Sequence, residues 1–244
     1  MRIAVIGAGS WGTAVADIVA RKQPVTLWAR RPEMAEAINT THVNPDYLPD
    51  HTLSERVVAT ADLGEALAAA DAIVMGVPSH GFRSVLEQCS DQIAIDTPIL
   101  SLAKGVERET LMRMTEVTAD VLPDHQSDRI GVLTGPNLAK EIVAGQPAAT
   151  VIAMQDAETA GALQQVFINK SFRVYTNDDV IGSEAAGALK NVMAIAAGMA
   201  HGLGFGDNTM ATLITRALAE LTRIGIAMGG KPLTFAGLAG TGDL

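Results

Sequence analysis

The chain has 244 residues, enough for one large domain or one domain and part of another, and its 48% hydrophobic content can fill a sizeable core. Its 27 acidic and 18 basic residues leave a net charge of -9, which argues against binding a nucleic-acid backbone; local basic residues can still grip a small anion. Cys89 is the single cysteine, so no internal disulfide is possible; no signal peptide or membrane-length apolar run is visible, and a soluble cytoplasmic protein with no membrane span is expected.

Residues 2–7, RIAVIG, form a short β-branched run of the kind that makes a buried parallel strand. The run leads into GAGSWG at 7–12, then a helical pattern over 13–20 and a second strand over 25–29. A lone G-x-G-x-x-G is weak, but one that follows a strand, opens a helix and precedes another strand has the context for binding a dinucleotide. Gly7 would permit the tight turn, Gly9 the approach of backbone to a pyrophosphate, and Gly12 the close packing of helix on strand. The helix start supplies unpaired N–H groups and a positive dipole end for phosphate. The bland alternative is a glycine-rich turn without a ligand.

The end of the second strand selects the cofactor. An NAD site carries an acid there, which bonds the ribose 2′-hydroxyl. Here the chain reads Ala29-Arg30-Arg31, with Glu33 the first acid. Two guanidinium groups suit the 2′-phosphate of NADP, so NADP is favoured with NAD possible. Two merely solvated arginines are the competing reading.

Asp62-Leu-Gly-Glu65 caps a helix expected to run to residue 70, and strands are expected over 72–77 and 99–103. Pro78-Ser79-His80 and Lys104-Gly105 follow these strands, at the carboxyl edge of the sheet where ligands bind. The pattern repeats over 129–134 and ends in Gly135-Pro-Asn137, before a helix whose start near Leu138 reads as a second anion site. Two further strands, 149–153 and 172–175, flank a helix over 157–167. The alternation predicts an α/β fold, a Rossmann-like doubly wound, mostly parallel sheet, with a change to all-helical pattern near Ser183. The five histidines have no metal-ligand spacing, and no G-x-S-x-G is present, so neither a metal nor a serine nucleophile is expected.

Residues 183–199 read as a helix with two unlike stripes. Leu189, Val192, Ile195, Ala196 and Met199 form an apolar one. Gly187, Lys190, Asn191, Ala194 and Gly198 form one of small residues around a single ammonium, which a ligand can approach closely. A snorkelling lysine with its head in water is the plainer alternative.

GAGSWG to Gly12, VPSH to His80, AKG to Gly105, GPNLAKE to Glu141, SFRVY to Tyr175, GALKN to Asn191 and GTGDL to Leu244 occur in one order. On these motifs the chain closely resembles the bacterial NAD(P)-dependent glycerol-3-phosphate dehydrogenases. The resemblance implies reversible reduction of dihydroxyacetone phosphate to sn-glycerol 3-phosphate, a phospholipid precursor, by a homodimer. It also implies an NAD(P)-binding Rossmann domain, here 1–182, followed by a helical substrate domain begun by 183–244. Lys190 matches the family's catalytic lysine. Ser10, Trp11, Arg30 or Arg31, Lys104 and Ala139 match cofactor contacts. Lys104, Gly135, Asn137, Lys190 and Asp243 match substrate contacts, and Asn191 stands beside the lysine to hold a substrate hydroxyl. Bacterial members commonly carry Ser or Thr where this chain has Asn137, whose amide can donate to phosphate or hydroxyl. Family members continue past Gly-Asp-Leu into a Ser-Arg-Asn stretch that holds the substrate phosphate. The expectation is therefore a truncated chain that binds NADP but turns over poorly. A β-hydroxyacid dehydrogenase, with its lysine and asparagine four apart rather than adjacent, and a non-catalytic NADP-binding module are the rival readings.

Overall fold

The computed structural model describes residues 1–243; Leu244 and the side chain of Asp243, expected from the resemblance to touch substrate, lie outside the described residues. The short apolar runs become strands β1 (Ile3–Ile6), β2 (Val25–Trp28), β3 (Val57–Thr60), β4 (Ala72–Met75), β5 (Ile99–Ser101), β6 (Ile130–Thr134), β7 (Ala148–Ala153) and β8 (Phe172–Asn177). Between them lie helices α1 (Ser10–Ala20), α2 (Pro32–Thr41), α3 (Leu63–Leu67), α4 (Ser79–Glu87), α5 (Met114–Val121), α6 (Ala139–Val143) and α7 (Ala157–Phe167). After β8 the chain is helical, with α8 (Val180–Gly202), α9 (Asp207–Ala227) and α10 (Pro232–Phe235).

The strands form one sheet in the order β3-β2-β1-β4-β5-β6-β7-β8, parallel throughout except between β6 and β7. Successive residues of β1 point to opposite faces, so Ile3 and Val5 join the core under α1, α2 and α7, while Ala4 and Ile6 join the core under α3, α4 and α5. Burial on both faces explains why β1 and β4 are apolar at every position. The strand order reverses beside β1, which leaves a crevice at its carboxyl end where the glycine turn begins.

Three local readings shift. The half-exposed strand β3 was not expected; it closes the sheet's edge with Val58 facing out, 57% exposed, and its VVAT sequence offers only three apolar residues in a row. The helix expected from 62 to 70 stops at Leu67, although Asp62 caps it as read, accepting from the Glu65 N–H at 3.0 Å. Helix α8 starts at Val180 rather than near Ser183, because the Asp179 carboxylate accepts the Gly182 N–H at 2.9 Å and caps the helix one turn earlier.

The buried face of α8 also differs from the apolar stripe seen in the sequence. Ala185, Ala186, Leu189 and Met193 pack against Leu221, Phe235 and Ala239, while Val192, Ile195 and Met199 are each more than 60% exposed. The choice is made by α10. Phe235 drives its ring against Gly225 of α9, where a Cβ would stand 2.0 Å from the ring, and the adjoining space takes the alanine side of α8. Among the described residues no helix is long and apolar enough to cross a membrane, and no group of three His, Cys, Asp or Glu could hold a metal ion.

Candidate active site

The site begins at the turn after β1. Gly7 has φ +121°, and a Cβ there would meet the Gly76 carbonyl oxygen at 2.7 Å, so the tight turn against the end of β4 excludes any side chain. A Cβ on Gly12 would stand 2.0 Å from the Gly7 carbonyl oxygen, which is the close packing of helix on strand. Gly9 is different: among the described residues nothing lies within 4 Å of where its Cβ would be. The open backbone at Gly9, the N-cap of α1, has no side chain capping the helix and no acid in the first turn. Unpaired N–H groups and the positive dipole end therefore face an unobstructed cradle, which fits a pyrophosphate. The indole Nε1 of Trp11 is buried without a hydrogen-bond partner among the described residues, a second polar group besides the helix N–H groups.

A loop absent from the sequence reading supports this turn. Asn44 is fully buried; its Nδ2 donates to the Ala8 carbonyl at 3.0 Å and to Thr13 Oγ1 at 2.8 Å. Leu48 and Ala139 pack with Ala14 behind α1, so the Ala139 side chain is buried there. Helix α6, which Ala139 opens, is only five residues long. Its few aligned peptides give a weak dipole behind the second anion site that the sequence suggested.

Gly7 N–H bonds the Trp28 carbonyl at 3.0 Å, so Arg30 and Arg31 stand at the carboxyl edge beside the glycine turn, as expected. They are unlike. Arg30 is exposed and forms no ion pair among the described residues. Arg31 pairs with Asp46 through Nη2 and approaches Glu33 through Nε at 3.8 Å. The Asp46 carboxylate is the main reason that the Arg31 guanidinium is held above its ordinary value.

At the other end of the crevice the Lys104 Nζ donates to the Gly135 carbonyl at 3.0 Å. Gly135 has φ +142°, pressed against Thr150, and Asn137 follows two residues later. The Thr150 hydroxyl sits at the β6–β7 junction and lies 2.9 Å from the Thr134 carbonyl, to which it gives its proton. Its lone pair then receives the Asn137 Nδ2–H at 3.0 Å. Asn137 Oδ1 is left buried without a partner among the described residues, and one of the two N–H donors expected for phosphate is spent on Thr150. Thr134 Oγ1 and Ser183 Oγ are likewise buried and have no partner among the described residues.

Helix α8 crosses this floor. A Cβ on Gly187 would meet Thr134 Oγ1 at 3.0 Å and the Lys104 stem at 3.8 Å. Lys190, half-buried, lies one turn on along the same face as Gly187, and Asn191 beside it is exposed. Two anchors hold the helix. Asp179 caps its start and also accepts from the Lys231 N–H at 2.8 Å and the Thr234 hydroxyl at 2.5 Å, tying α8 to α10. Glu184, its side chain 1% exposed, accepts from Arg113 Nη1 at 2.9 Å, the Thr115 N–H at 3.0 Å and the Thr115 hydroxyl at 2.5 Å, tying α8 to α5. Burial pushes the Glu184 carboxyl up, and the Thr115 hydroxyl and Arg113 charge work against that. Neither anchor, nor Thr134, Thr150 and Asn44, was singled out in the sequence. Asp179, three residues before Gly182 at the head of a helical run, carried a capping signal; the others carried none.

A family model for the N-terminus of NAD-dependent glycerol-3-phosphate dehydrogenase matches residues 2–160, and one for the C-terminus of the same enzyme matches 179–244. The NAD(P)+ glycerol-3-phosphate dehydrogenase 2 of Sphingopyxis alaskensis is 55% identical over 244 residues, covering 100% of this chain and 72% of the relative. That of Mycobacterium avium is 51% identical, covering 100% of this chain and 71% of the relative. A crystal structure of glycerol-3-phosphate dehydrogenase from Coxiella burnetii superposes with a TM-score of 0.93 at 38% identity, covering 100% of this chain and 74% of that one.

Proposed function

The chain belongs to the NAD-dependent glycerol-3-phosphate dehydrogenase family, and from that premise we propose that it is an oxidoreductase joining dihydroxyacetone phosphate and sn-glycerol 3-phosphate, with NADPH or NADH as cofactor. The product is a backbone precursor for phospholipids. We take residues 1–182 as the NAD(P)-binding domain and 183–244 as the start of the substrate domain, a division supported by the end of strand–helix alternation after β8. The reading extends to a cytoplasmic homodimer, as the resemblance implies; sedimentation of the purified protein checks the assembly.

The observation that supports the chemistry best is Gly187, which lets α8 lie against Thr134 and the Lys104 stem, with Lys190 one turn on along the same face. A dihydronicotinamide supplies hydride when bound. The cradle at Gly9, with the Ser10, Trp11 and Gly12 N–H groups of the first turn, would hold its pyrophosphate, and Arg30 and Arg31, just past the end of β2, would meet the ribose 2′ substituent. Reduction of a ketone develops negative charge on the carbonyl oxygen, and that charge needs a cation and a proton. Lys190 supplies both from its ammonium. Lys104, steadied by the Gly135 carbonyl, adds positive charge where a phosphorylated substrate meets the cofactor. Asn191 holds a substrate hydroxyl.

NADPH titration followed by addition of dihydroxyacetone phosphate tests the assignment. Lys190→Ala should lower the reduction rate by about 10²–10⁴-fold while leaving NADPH affinity within about twofold. Loss of nucleotide binding along with the rate would instead make Lys190 a structural residue.

A further inference from the structure

The pairing of Arg31 with Asp46 bears on which dinucleotide the protein prefers, an inference that rests on the dehydrogenase reading above. Asp46 is not on a loose loop. It lies between Asn44 and Leu48, which are both buried, and Asn44 is bonded to the glycine turn through the Ala8 carbonyl and Thr13. The backbone closes on itself as well: the Leu48 N–H bonds the Asn44 carbonyl at 3.0 Å and the Tyr47 N–H bonds Asn44 Oδ1 at 3.2 Å. Asp46 is thus positioned relative to the same turn that would carry the pyrophosphate.

Its carboxylate takes Arg31 Nη2, and Glu33 lies 3.8 Å from Arg31 Nε. Two carboxylates against one guanidinium leave this trio with a net negative charge. Arg31 therefore does not present an unopposed cation at the end of β2; among the described residues Arg30 does so. A 2′-phosphate is a multiply charged oxyanion that asks for the same guanidinium fork as a carboxylate does. It can take Nη2 of the Arg31 fork only by displacing Asp46, and a phosphate on any other edge of that guanidinium still lies near the Asp46 charge. A 2′-hydroxyl carries no charge and makes no such demand.

We propose that Asp46 is a specificity-determining residue that competes with the 2′-phosphate of NADP for Arg31, and so narrows the protein's preference for NADP over NAD. Both side chains are 47% exposed, so the effect has the size of a solvent-screened charge interaction rather than a buried one.

The test is equilibrium titration with NADPH and NADH, followed by nucleotide fluorescence at low salt, on wild type, Asp46→Asn, Arg31→Ala and the double variant. Asp46→Asn should tighten NADPH by roughly three- to tenfold and change NADH by less than about twofold. In the Arg31→Ala background the same substitution should change NADPH by less than about twofold, because the contested partner is gone. NADPH affinity that is unchanged or weaker in Asp46→Asn overturns the proposal, as does equal tightening of both nucleotides. A gain that persists without Arg31 also overturns it, since it would mean a general field and not competition. Wild-type protein that binds neither nucleotide overturns the dehydrogenase reading itself, whereas binding of both with an inert Asp46 overturns only the role given to that residue.

Discussion

Glu184→Ala probes the attachment of the helix that carries Lys190. Glu184 and Arg113 pair across 71 residues, with side-chain exposures of 1% and 9%. Truncating one partner of a buried ion pair costs about 3–5 kcal/mol, because the other charge stays buried without its counterion. Arg113 keeps Glu116 at 2.8 Å, and Glu116 is 47% exposed, so the loss belongs near ~3 kcal/mol. The Thr115 N–H loses its carboxylate acceptor, which adds about 1 kcal/mol. A total of about 4 kcal/mol lowers the unfolding temperature of a chain this size by roughly 8–16 °C. Scanning calorimetry measures this directly. Arg113→Met combined with Glu184→Leu should recover most of the loss, because apolar replacement of a whole buried pair is often neutral or stabilising. An unfolding temperature for Glu184→Ala within about 2 °C of wild type would show that the pair does not hold α8 to the sheet, and the reasoning about how Lys190 is positioned would fail with it.

The two glycines of the turn should respond oppositely to the same change. Gly9→Ala meets nothing within 4 Å, so it should leave stability intact but fill the phosphate cradle and weaken NADPH binding, whereas Gly12→Ala, 2.0 Å from the Gly7 carbonyl, should destabilise the fold in calorimetry without nucleotide present. Acid stability should carry the mark of Glu107. Arg83 and Thr110 hold its carboxyl down to about 2 from an ordinary 4.5, so its stabilising contribution is present above about pH 4.5 and is lost as pH falls toward about 2. In urea melts, Glu107→Gln should be less stable than wild type at neutral pH, with the difference shrinking at about pH 3; a difference that grows on acidification would contradict the pairing.

The glycine turn and the alternation of strands and helices around it were legible because they depend on local chemistry. Gly7 needs a positive φ, Gly12 needs the absence of a Cβ, and alternation of apolar strands with amphipathic helices leaves few sheets to build. Lys104 and Gly135 could be placed at the sheet's carboxyl edge for the same reason, each coming just after an apolar run. Edge strand β3 escaped because half of it faces solvent and its pattern is short.

By itself, then, the amino-acid order determined the kind of fold and a glycine turn suited to a nucleotide, since both are written in neighbouring side chains and backbone preferences. Tertiary structure alone decided which side of α8 is buried, because the helix is apolar or small nearly all round and only contact with Phe235 and Leu221 selects among its faces. It also decided which arginine is left unpaired at the end of β2. Arg30 and Arg31 look alike in one dimension, and they differ only because a loop pinned by Asn44 delivers a carboxylate to one of them. Coulombic partners and close packing act over ångströms in space, and residues 15 or 71 positions apart carry no local trace of where the fold will bring them.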